Sequence, residues 1–307
     1  MPFIKTKYTI ETPTPAFLFV MNHFHCSQAD AQRFIGKGRL LVDGNAFVTS
    51  GEKISGDIEL VYFKPKSRGN YPIFQTNDFM LFDKPSGVLV HPNKLSTEYS
   101  MLDEIRYISG EDANAAHRID METSGLLLAS KNKTSEKHLK TLFENRGVTK
   151  SYLAWVDGEI KKPFEVDAPI IKNDDYSSCK HKVFVHPDGK QSYTKFVPLE
   201  YDSDLDATLL ACYPFTGRTH QIRVHLFHIK HPILGDPIYG TTFDVSSAYL
   251  DDTLSADDRK IMTGSSRLML HAQTLYFESG ARFYMESKAD FLKEKREICP
   301  KKIRKFN

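Results

Sequence analysis

Residues 116–130 read A-H-R-I-D-M-E-T-S-G-L-L-L-A-S, a charged turn that runs directly into an apolar segment. The run Leu126–Leu128 is short enough to be a buried strand. Gly125 can adopt a backbone conformation that other residues avoid, so the chain can bend sharply where the strand begins. The guanidinium of Arg118 and the carboxylate of Asp120 would then sit in a rigid turn beside the core. A surface loop with a simple ion pair gives the same local pattern, so the remaining segments have to decide.

Length and charge set broad limits on the fold and on its partners. A chain of 307 residues can bury a large core and is long enough for two domains. The net charge is only +2, but the basic residues are clustered in sequence. The clusters comprise Lys131, Lys133, Lys137, Lys140, Arg146 and Lys150, and residues 293–305. Separated basic patches are typical of a nucleic-acid-binding face and equally of a solvated face without a partner.

Cysteine usage and hydropathy predict a cytoplasmic protein. The four cysteines, Cys26, Cys179, Cys212 and Cys299, are far apart and form no C-x-x-C zinc motif. So few cysteines in a chain of this length do not indicate a disulfide framework. No apolar stretch is long enough to span a membrane, and no signal-peptide pattern follows the N-terminus.

The first 66 residues are predicted to form a small separate unit. Pro15–Phe24 is apolar enough for one buried helix, and Ser27 can cap a second helix that ends near Gly36. Asp43-Gly44-Asn45 lies between two short apolar runs and predicts a hairpin. A polar segment with Pro and Gly, residues 64–72, reads as a linker. The predicted domains are therefore residues 1–66 and residues 67–307.

The larger domain combines strand patterns with one unusually basic helix. Residues 150–156, 189–197 and 207–213 have strand composition, and Lys150 and Tyr152 share one face of the first of these strands. A helix is predicted to open at Thr216-Gly217-Arg218 and to stop before His231-Pro232. Its first two turns carry Arg218, His220, Gln221 and Arg223. Helix N-termini with guanidinium groups favour binding of a phosphate or a carboxylate.

Three further segments complete the prediction. The acidic residues 244–260 are predicted to be a surface insertion, and residues 267–277 a buried strand or a helix followed by a strand. The tail after Phe291 shows no core pattern.

Several motifs, taken in order, resemble those of one enzyme family. They are K-P-S-G, H-R-I-D-x-x-T-S-G, K-S-Y-L-A, G-K-x-x-x-T, G-R-T-H-Q-I-R-V-H and L-H-A, and they cover most of residues 78–277. The combination resembles the RluA-type pseudouridine synthases, and the second and fifth motifs are the specific ones. The resemblance implies an α+β protein with the pseudouridine synthase fold. In that fold a mixed, mostly antiparallel sheet with flanking helices surrounds a central cleft.

The N-terminal unit resembles a second known domain. Its segment Q-A-D-A-Q-R-F-I-G-K-G-R-L-L-V-D-G-N, together with G-D-I-E-L, is similar to the S4 RNA-binding domain, a small α/β unit. The basic residues Arg33, Lys37 and Arg39 on and beyond its second helix are the RNA-binding candidates that this resemblance implies. A packing domain without RNA contacts is the alternative.

The resemblance to the synthases also implies roles for single residues. Asp120 matches the catalytic aspartate, and Arg223 matches the arginine paired with it. Tyr152 matches the tyrosine that stacks on uracil and helps to remove the C5 proton. Arg118 matches a residue of the loop that flips and holds the substrate. The residues left to support this loop or to contact the RNA backbone are Lys150, Arg218, His220 and Gln221.

The implied reaction converts uridine to pseudouridine in structured ribosomal or transfer RNA. The N1–C1′ bond breaks, the base turns, and C5 joins C1′, so no atom is oxidised and none leaves. No redox cofactor and no metal is required, and the enzyme is expected to act as a monomer. A nearby guanidinium favours the ionised carboxylate that attack requires. Attack of Asp120 on C1′, attack on C6, and a glycal route all remain open.

Two other functions fit parts of the sequence. A metal-dependent hydrolase could use His220, His225, His228 and His231, but the adjacent Arg218 would repel a cation, and that segment has no carboxylate. A non-catalytic RNA-binding or ribosome-assembly protein could keep the same fold. The presence of Asp120 together with its two catalytic partners argues against it.

Overall fold

The structure is a computed structural model that describes residues 2–177 and 179–305, and its strands form two main sheets and a two-stranded ribbon. The N-terminal sheet is antiparallel with the strand order β1-β4-β2-β3. The elements of this unit are β1 (Phe3–Pro15), α1 (Ala16–Phe24), α2 (Gln28–Gly36), β2 (Leu40–Val42), β3 (Asn45–Phe47) and β4 (Lys53–Phe63). Both helices and the sheet share one apolar core, which includes Val20, Ile35 and Leu60.

The predicted helices of this unit are confirmed. The backbone N–H of Asp30 donates to Ser27 Oγ at 3.2 Å, so Ser27 caps α2 as expected. The hairpin between β2 and β3 turns at Asp43 and Gly44, both with positive φ. The sequence reading missed β1, whose period-two pattern I-K-T-K-Y-T-I is largely exposed and polar.

The second sheet is large and mixed. It follows the order β10-β13-β14-β9-β15-β8-β6-β5, with β16 beside β15 and β7 beside β8. Its strands are β5 (Phe74–Gln75), β6 (Phe79–Lys84), β7 (Asn114–Ala115), β8 (Ser124–Ser130), β9 (Val148–Asp157), β10 (Phe164–Asp167), β13 (Tyr193–Asp202), β14 (Ala207–Pro214), β15 (Leu270–Glu278) and β16 (Arg282–Glu286). The ribbon consists of β11 (Ile170–Lys172) and β12 (Val183–Val185).

Among these described strands, only β8 and β15 run parallel; the other neighbours are antiparallel. The prediction of a mixed, mostly antiparallel sheet with flanking helices is thus confirmed. The helices are α3 (Met101–Ser109), α4 (Lys133–Glu144), α5 (Gln221–His228), α6 (Phe243–Leu250) and α7 (Ala256–Thr263).

α4 is capped by Asn132, whose side chain accepts from the N–H of Ser135. The start of α5 differs from the sequence prediction. α5 begins at Gln221, five residues after Thr216, because His220 takes a left-handed backbone conformation, with φ 52°, that interrupts the helix. The residues around Arg218 therefore form a loop ahead of the helix.

The two segments expected to lie outside the core are partly built into it. The acidic insertion forms α6 and α7. After Phe291 the chain was read as lacking a core pattern, and that reading is wrong: Phe291, Ile298 and Cys299 are buried. The signal was weak because Phe291 begins the 3₁₀ segment Phe291–Glu297 and the other two residues follow its end, so the buried positions have no regular spacing.

The central strands β8 and β15 approach each other very closely. Gly125 has φ +101°, and a Cβ at this position would lie 2.3 Å from the carbonyl oxygen of Ala272. Only glycine allows this contact. Because Gly125 is the second residue of β8, the contact fixes the position at which the loop 116–123 joins the sheet. On the neighbouring strand β9, Tyr152 packs against three apolar clusters. The loop and this tyrosine are therefore placed by the same packed strands.

Replacing Gly125 with alanine should lower the free energy of unfolding by about 3 kcal/mol, since the new methyl group overlaps a backbone carbonyl in a strained conformation. Gly280→Ala is the matched control, because Gly280 also has a positive φ, +70°, but a Cβ there meets nothing within 4 Å. The control should lose about 1 kcal/mol. Urea unfolding measures both values, and equal losses would contradict the close approach.

Candidate active site

The loop 116–123 is held at both ends by the strands beside it. The backbone N–H of Ala116 donates to Leu128 O at 2.8 Å, and the N–H of Leu128 donates to His117 Nε2 at 3.1 Å. Burial and the charge of Lys150 lower the pKa of His117 to about 3, so the imidazole is neutral and can accept this bond. His117 therefore fixes the start of the loop and takes no part in proton transfer.

A buried lysine holds the other side of the loop. Lys84 is 1% exposed, and its ammonium donates to the carbonyl oxygens of Pro85, Val88 and Met121 at 2.8–2.9 Å. Burial lowers the pKa of Lys84 to about 7, whereas the three acceptors match the three N–H bonds of an ammonium. In addition, Ser86 Oγ donates to Glu122 O at 2.6 Å. The K-P-S-G motif thus clamps the loop, which supports the structural role for Lys84.

The loop and α5, distant in sequence, meet through one ion pair. Arg223 Nη1 donates to Asp120 Oδ2 at 3.1 Å. The side chain of Arg223 is 4% exposed and that of Asp120 is 27% exposed. The guanidinium therefore lies inside the protein, and the carboxylate is partly exposed to solvent.

The same guanidinium binds a second carboxylate, that of Asp236. Arg223 Nε donates to Asp236 Oδ2 at 2.7 Å, and Nη2 donates to Oδ1 at 2.8 Å, a bidentate arrangement. Asp236 Oδ1 also accepts from the backbone N–H groups of Ile238 and Tyr239. Sequence reasoning missed Asp236, although the acid within I-L-G-D-P-I-Y-G, a loop punctuated by Gly and Pro, was a usable signal.

The two carboxylates are used differently. Asp236 is buried, and its oxygens accept hydrogen bonds from the Arg223 guanidinium and from backbone N–H groups. For Asp120, the one hydrogen bond to its carboxylate from the described residues comes from Arg223. Asp120 therefore keeps lone pairs directed at the cleft, and Asp236 serves to orient the arginine.

Electrostatics keep Asp120 ionised. Burial raises the pKa of the Asp120 carboxyl, but His220 and the Arg223 cation lower it by more. The pKa of Asp120 therefore lies below its ordinary value of 3.8. Burial and the charge of Arg223 lower the pKa of His220 to about 4, so this imidazole is neutral at pH 7. The permanent charge beside Asp120 is therefore that of Arg223, whose own pKa is raised by Asp236 and Asp120 against the effect of burial.

His220 and Tyr239 lie beside the Asp120–Arg223 ion pair. His220 Nδ1 lies 3.0 Å from the hydroxyl of Tyr239, and His220 Nε2 lies 3.7 Å from Asp120 Oδ2. The Arg223 guanidinium lies 5.1 Å from the centroid of the Tyr239 ring. Tyr239 thus supports both the histidine and the arginine beside Asp120.

Tyr152 is half-buried on β9, and its phenol stays protonated. Burial raises its pKa, and the negative charge of Asp120 raises it further. Tyr152 also packs against the apolar cluster that contains Ile119, the residue before Asp120. A carboxylate kept ionised by an arginine, near a neutral aromatic ring, is suited to attack on a planar base or its sugar.

Comparison with known proteins shows the family of this chain. Residues 78–228 match the family model described as RNA pseudouridylate synthase. The chain is 39% identical over 285 residues to a Helicobacter pylori protein described as an uncharacterized RNA pseudouridine synthase, covering 92% of this chain and 93% of that protein. The chain belongs to the RNA pseudouridine synthase family. It is therefore an enzyme, an isomerase that acts on RNA.

Further relatives agree. Ribosomal large subunit pseudouridine synthase C of Vibrio parahaemolyticus is 35% identical over 210 residues, which cover 67% of this chain and 60% of the relative. The solved structure of human RNA pseudouridylate synthase domain containing 1 superposes with a TM-score of 0.57 at 25% identity, covering 74% of this chain and 86% of the human one. The RluA-type resemblance and the pseudouridine synthase fold are confirmed.

The residues predicted to support the loop or contact RNA have different surroundings in this synthase. Arg118 and Arg218 are exposed, and Arg218 Nε donates to Gln191 O at 3.1 Å. Lys150 lies 5.9 Å from the ring centroid of Phe143, and burial lowers its pKa.

Gln221 is 4% exposed and hydrogen-bonded at both ends of its amide. Its oxygen accepts from Thr216 Oγ1 and from the N–H of Arg218, and its nitrogen donates to Tyr193 O and Thr194 Oγ1. Of the two roles left open for Gln221, this geometry favours support of the loop. The candidates in the N-terminal unit are not part of this site: Arg33 lies on α2, and Lys37 and Arg39 lie between α2 and β2.

The insertion contributes to the site through a buried ion pair that the sequence did not reveal. Arg259 on α7 donates to Glu122 Oε2 at 2.8 Å and to Gly235 O at 2.8 Å. Tyr249 on α6 donates to Glu122 Oε1 at 2.7 Å. Arg259 thereby joins the loop of Asp120 to the loop of Asp236.

The histidines of the hydrolase hypothesis have separate partners. His225 Nδ1 lies 3.0 Å from Thr194 Oγ1, and His231 Nδ1 lies 2.7 Å from Asp157 O. Across residues 2–177 and 179–305, no three His, Cys, Asp or Glu side chains are grouped as metal ligands would be. In the same ranges, no helix is long and apolar enough to cross a membrane.

The pH dependence of the synthase tests the ion pair. A carboxylate that must be ionised loses activity as the pH falls through its pKa, so the wild-type acid limb should lie below the ordinary range of an aspartate. In Arg223→Gln the lost cation should raise the pKa of Asp120 and move the acid limb of kcat/KM to higher pH. The double variant Arg223→Gln/Asp236→Asn leaves no buried carboxylate unpaired and should shift in the same direction. An unchanged limb in both variants would show that Arg223 does not set the charge of Asp120.

Proposed function

We propose that this enzyme isomerises uridine in large-subunit ribosomal RNA, with Asp120 as the reacting carboxylate. The observation that carries the proposal is the ion pair of Asp120 with the buried Arg223 at 3.1 Å. It supplies an ionised group at the cleft surface, held from behind by Asp236. Tyr152 lies in the same site and can stack on an everted base.

The chemistry divides among these side chains. Asp120 attacks the nucleoside or assists departure of the base, and Arg223 keeps it charged through this step. The neutral ring of Tyr152 stacks on uracil. Because its pKa is raised, Tyr152 is protonated at neutral pH. It can accept the C5 proton only after its own hydroxyl proton has passed to another group.

The target uridine has to leave its stack to reach Asp120. The exposed guanidinium of Arg118, two residues before Asp120, is free to enter the space that the base vacates. Arg218 is exposed in the loop that precedes α5 and can contact RNA phosphates next to the everted uridine. Isomerisation transfers no electrons and releases no group, so the reaction requires no redox cofactor or metal.

Ribosomal RNA is the substrate class that the relatives favour. Vibrio parahaemolyticus synthase C and Haemophilus ducreyi synthase D are both described as ribosomal large subunit pseudouridine synthases. Transfer RNA is the second candidate class from the sequence reading.

The N-terminal residues 1–66 are proposed to be an S4-like RNA-binding domain, and residues 67–307 the catalytic domain. A separate sheet and core in the first 63 residues support this division. We also propose that the enzyme acts as a monomer in the cytoplasm. Its cysteines Cys26, Cys179, Cys212 and Cys299 are free thiols, which fits a reducing compartment.

Substitution of Asp120 tests the proposed chemistry. Asp120→Asn should lower release of tritium from C5-labelled uridine in RNA by at least about 1,000-fold, because an amide is not a nucleophile of this kind. RNA affinity should stay within a few-fold, since the variant keeps the shape of the cleft. Asp204→Asn, at the exposed tip of the β13–β14 hairpin, is the matched control. Near-normal release by Asp120→Asn would refute the role of Asp120.

Mapping of pseudouridine in cells tests the substrate class. Deletion of the gene should remove pseudouridine from one or more positions of large-subunit ribosomal RNA. The wild-type gene should restore these positions, and a gene that carries Asp120→Asn should not. Loss confined to transfer RNA would show that the substrate class is wrong while leaving the isomerase activity intact.

A further inference from the structure

A second concave site lies where the N-terminal unit meets the catalytic domain. It is a pocket of about 300 Å³ between β1, the end of α2, β4 and α3. Its cationic walls come from both units: Lys37 and Arg39 from the first, Arg106 from the second. The sequence reading gave Lys37 and Arg39 to the S4-like domain and assigned nothing to Arg106.

Aromatic rings position the two guanidinium groups. Arg39 lies 5.4 Å from the ring centroid of Phe3, and Arg106 lies 5.5 Å from that of Phe63. Phe3 and Phe63 are paired across β1 and β4, with their centroids 5.4 Å apart in an edge-to-face arrangement. This aromatic pair thus carries one arginine from each unit, and the flat faces of the guanidinium groups are supported before any ligand binds.

These cations are not neutralised within the protein. In the described part of the chain, no carboxylate lies within 4 Å of the charged nitrogens of Lys37, Arg39 or Arg106. The pKa values of Lys37 and Arg39 are lowered by burial and by the neighbouring cations, including Arg106. Three like charges in a half-buried site repel one another, and an anion placed between them would relieve this repulsion.

Nearby acids do not take this role. Burial lowers the pKa of Arg106, and Glu111, Glu136 and Asp112 partly offset the shift. Glu136 is hydrogen-bonded to Lys140 at 2.7 Å and to Asn114 Nδ2 at 2.6 Å. Asp112 lies 3.8 Å from Lys133.

The pocket continues toward the catalytic loop. His91 and Asn114, which line it, are hydrogen-bonded at 2.8 Å. Burial lowers the pKa of His91, Asn114 raises it, and the charges of Arg118, Lys140 and Arg106 lower it further. Asn114, on the wall of this pocket, lies two residues before Ala116, where the catalytic loop begins. An RNA strand bound at that loop is therefore expected to extend to the pocket.

We propose that Lys37, Arg39 and Arg106 form a binding site for a backbone phosphate of the substrate RNA, shared between the N-terminal unit and the catalytic domain. The proposal rests on RNA as the substrate and gives the N-terminal unit a defined contact with it. One phosphate would be held by charge-assisted hydrogen bonds from both units, so that RNA binding fixes the two units relative to each other.

The salt dependence of RNA binding tests the site. Affinity of the full chain for a large-subunit ribosomal RNA transcript is measured by filter binding over a series of KCl concentrations. Lys37→Gln, Arg39→Gln and Arg106→Gln should each raise Kd by about 10-fold and lower the slope of log K against log salt by about one. In turnover, kcat/KM should fall mainly through KM. Arg39→Lys and Arg106→Lys keep the charge and should restore most of the slope.

Controls separate this site from the catalytic one and from general charge effects. Lys162 is an exposed lysine that follows the C-terminal end of β9. Lys162→Gln should leave Kd and the slope of log K against log salt unchanged. C5-tritium release by the wild type on the same transcript reports the proposed catalytic function separately. Lys37→Gln and Arg39→Gln with wild-type slopes and melting temperatures would overturn the phosphate site. Competition by micromolar inorganic phosphate or uridine monophosphate would instead identify a small-anion site and overturn RNA as its ligand.

Discussion

One guanidinium shared by two carboxylates is the interaction on which this enzyme depends. Arg223 is almost fully buried, and its charge would be costly there without the bidentate contact to Asp236. Asp236 is saturated by the guanidinium and by backbone N–H groups, and an N–H of Nη1 of Arg223 is directed at Asp120. The cluster carries one surplus negative charge, and it resides on the oxygen atoms that face the cleft. Geometry and charge of the reacting group are therefore set by the same contact.

The rest of the fold holds the backbone around this cluster. Lys84 ties the K-P-S-G turn to the loop of Asp120, and Arg259 ties that loop to the one that carries Asp236. Both cations donate hydrogen bonds to carbonyl oxygens, and Arg259 also to a carboxylate, inside the protein. Loss of either partner would leave a buried polar group without a hydrogen bond. The acidic insertion, predicted to lie at the surface, thus restrains the loop of Asp120 and the loop of Asp236.

The sequence reading of the site succeeded where a residue sits in a dense motif. Asp120 and Arg223 lie in the two most specific motifs, and the structure places their side chains in contact. Asp236 lies in a loop punctuated by Gly and Pro, and nothing local in that loop indicates Arg223 as its partner. Glu122 and Arg259 are 137 residues apart. Their importance comes from pairing partners, which no local pattern encodes. The start of α5 was misplaced for a related reason, since the left-handed backbone of His220 is stabilised by contacts such as that with Tyr239.

The sequence by itself determined the elements that local physics controls: the buried strands around Leu127 and Leu153, the cap at Ser27, the hairpin turn at Gly44, and the family to which the motifs belong. Tertiary structure alone decided which charges meet. It brought Asp120 to Arg223 across 103 residues, joined Arg39 and Arg106 around one aromatic pair, and buried Lys84 among carbonyl oxygens. The reason is physical: strand and helix signals depend on neighbours in the chain, whereas the energy of a charge depends on every group that surrounds it in space.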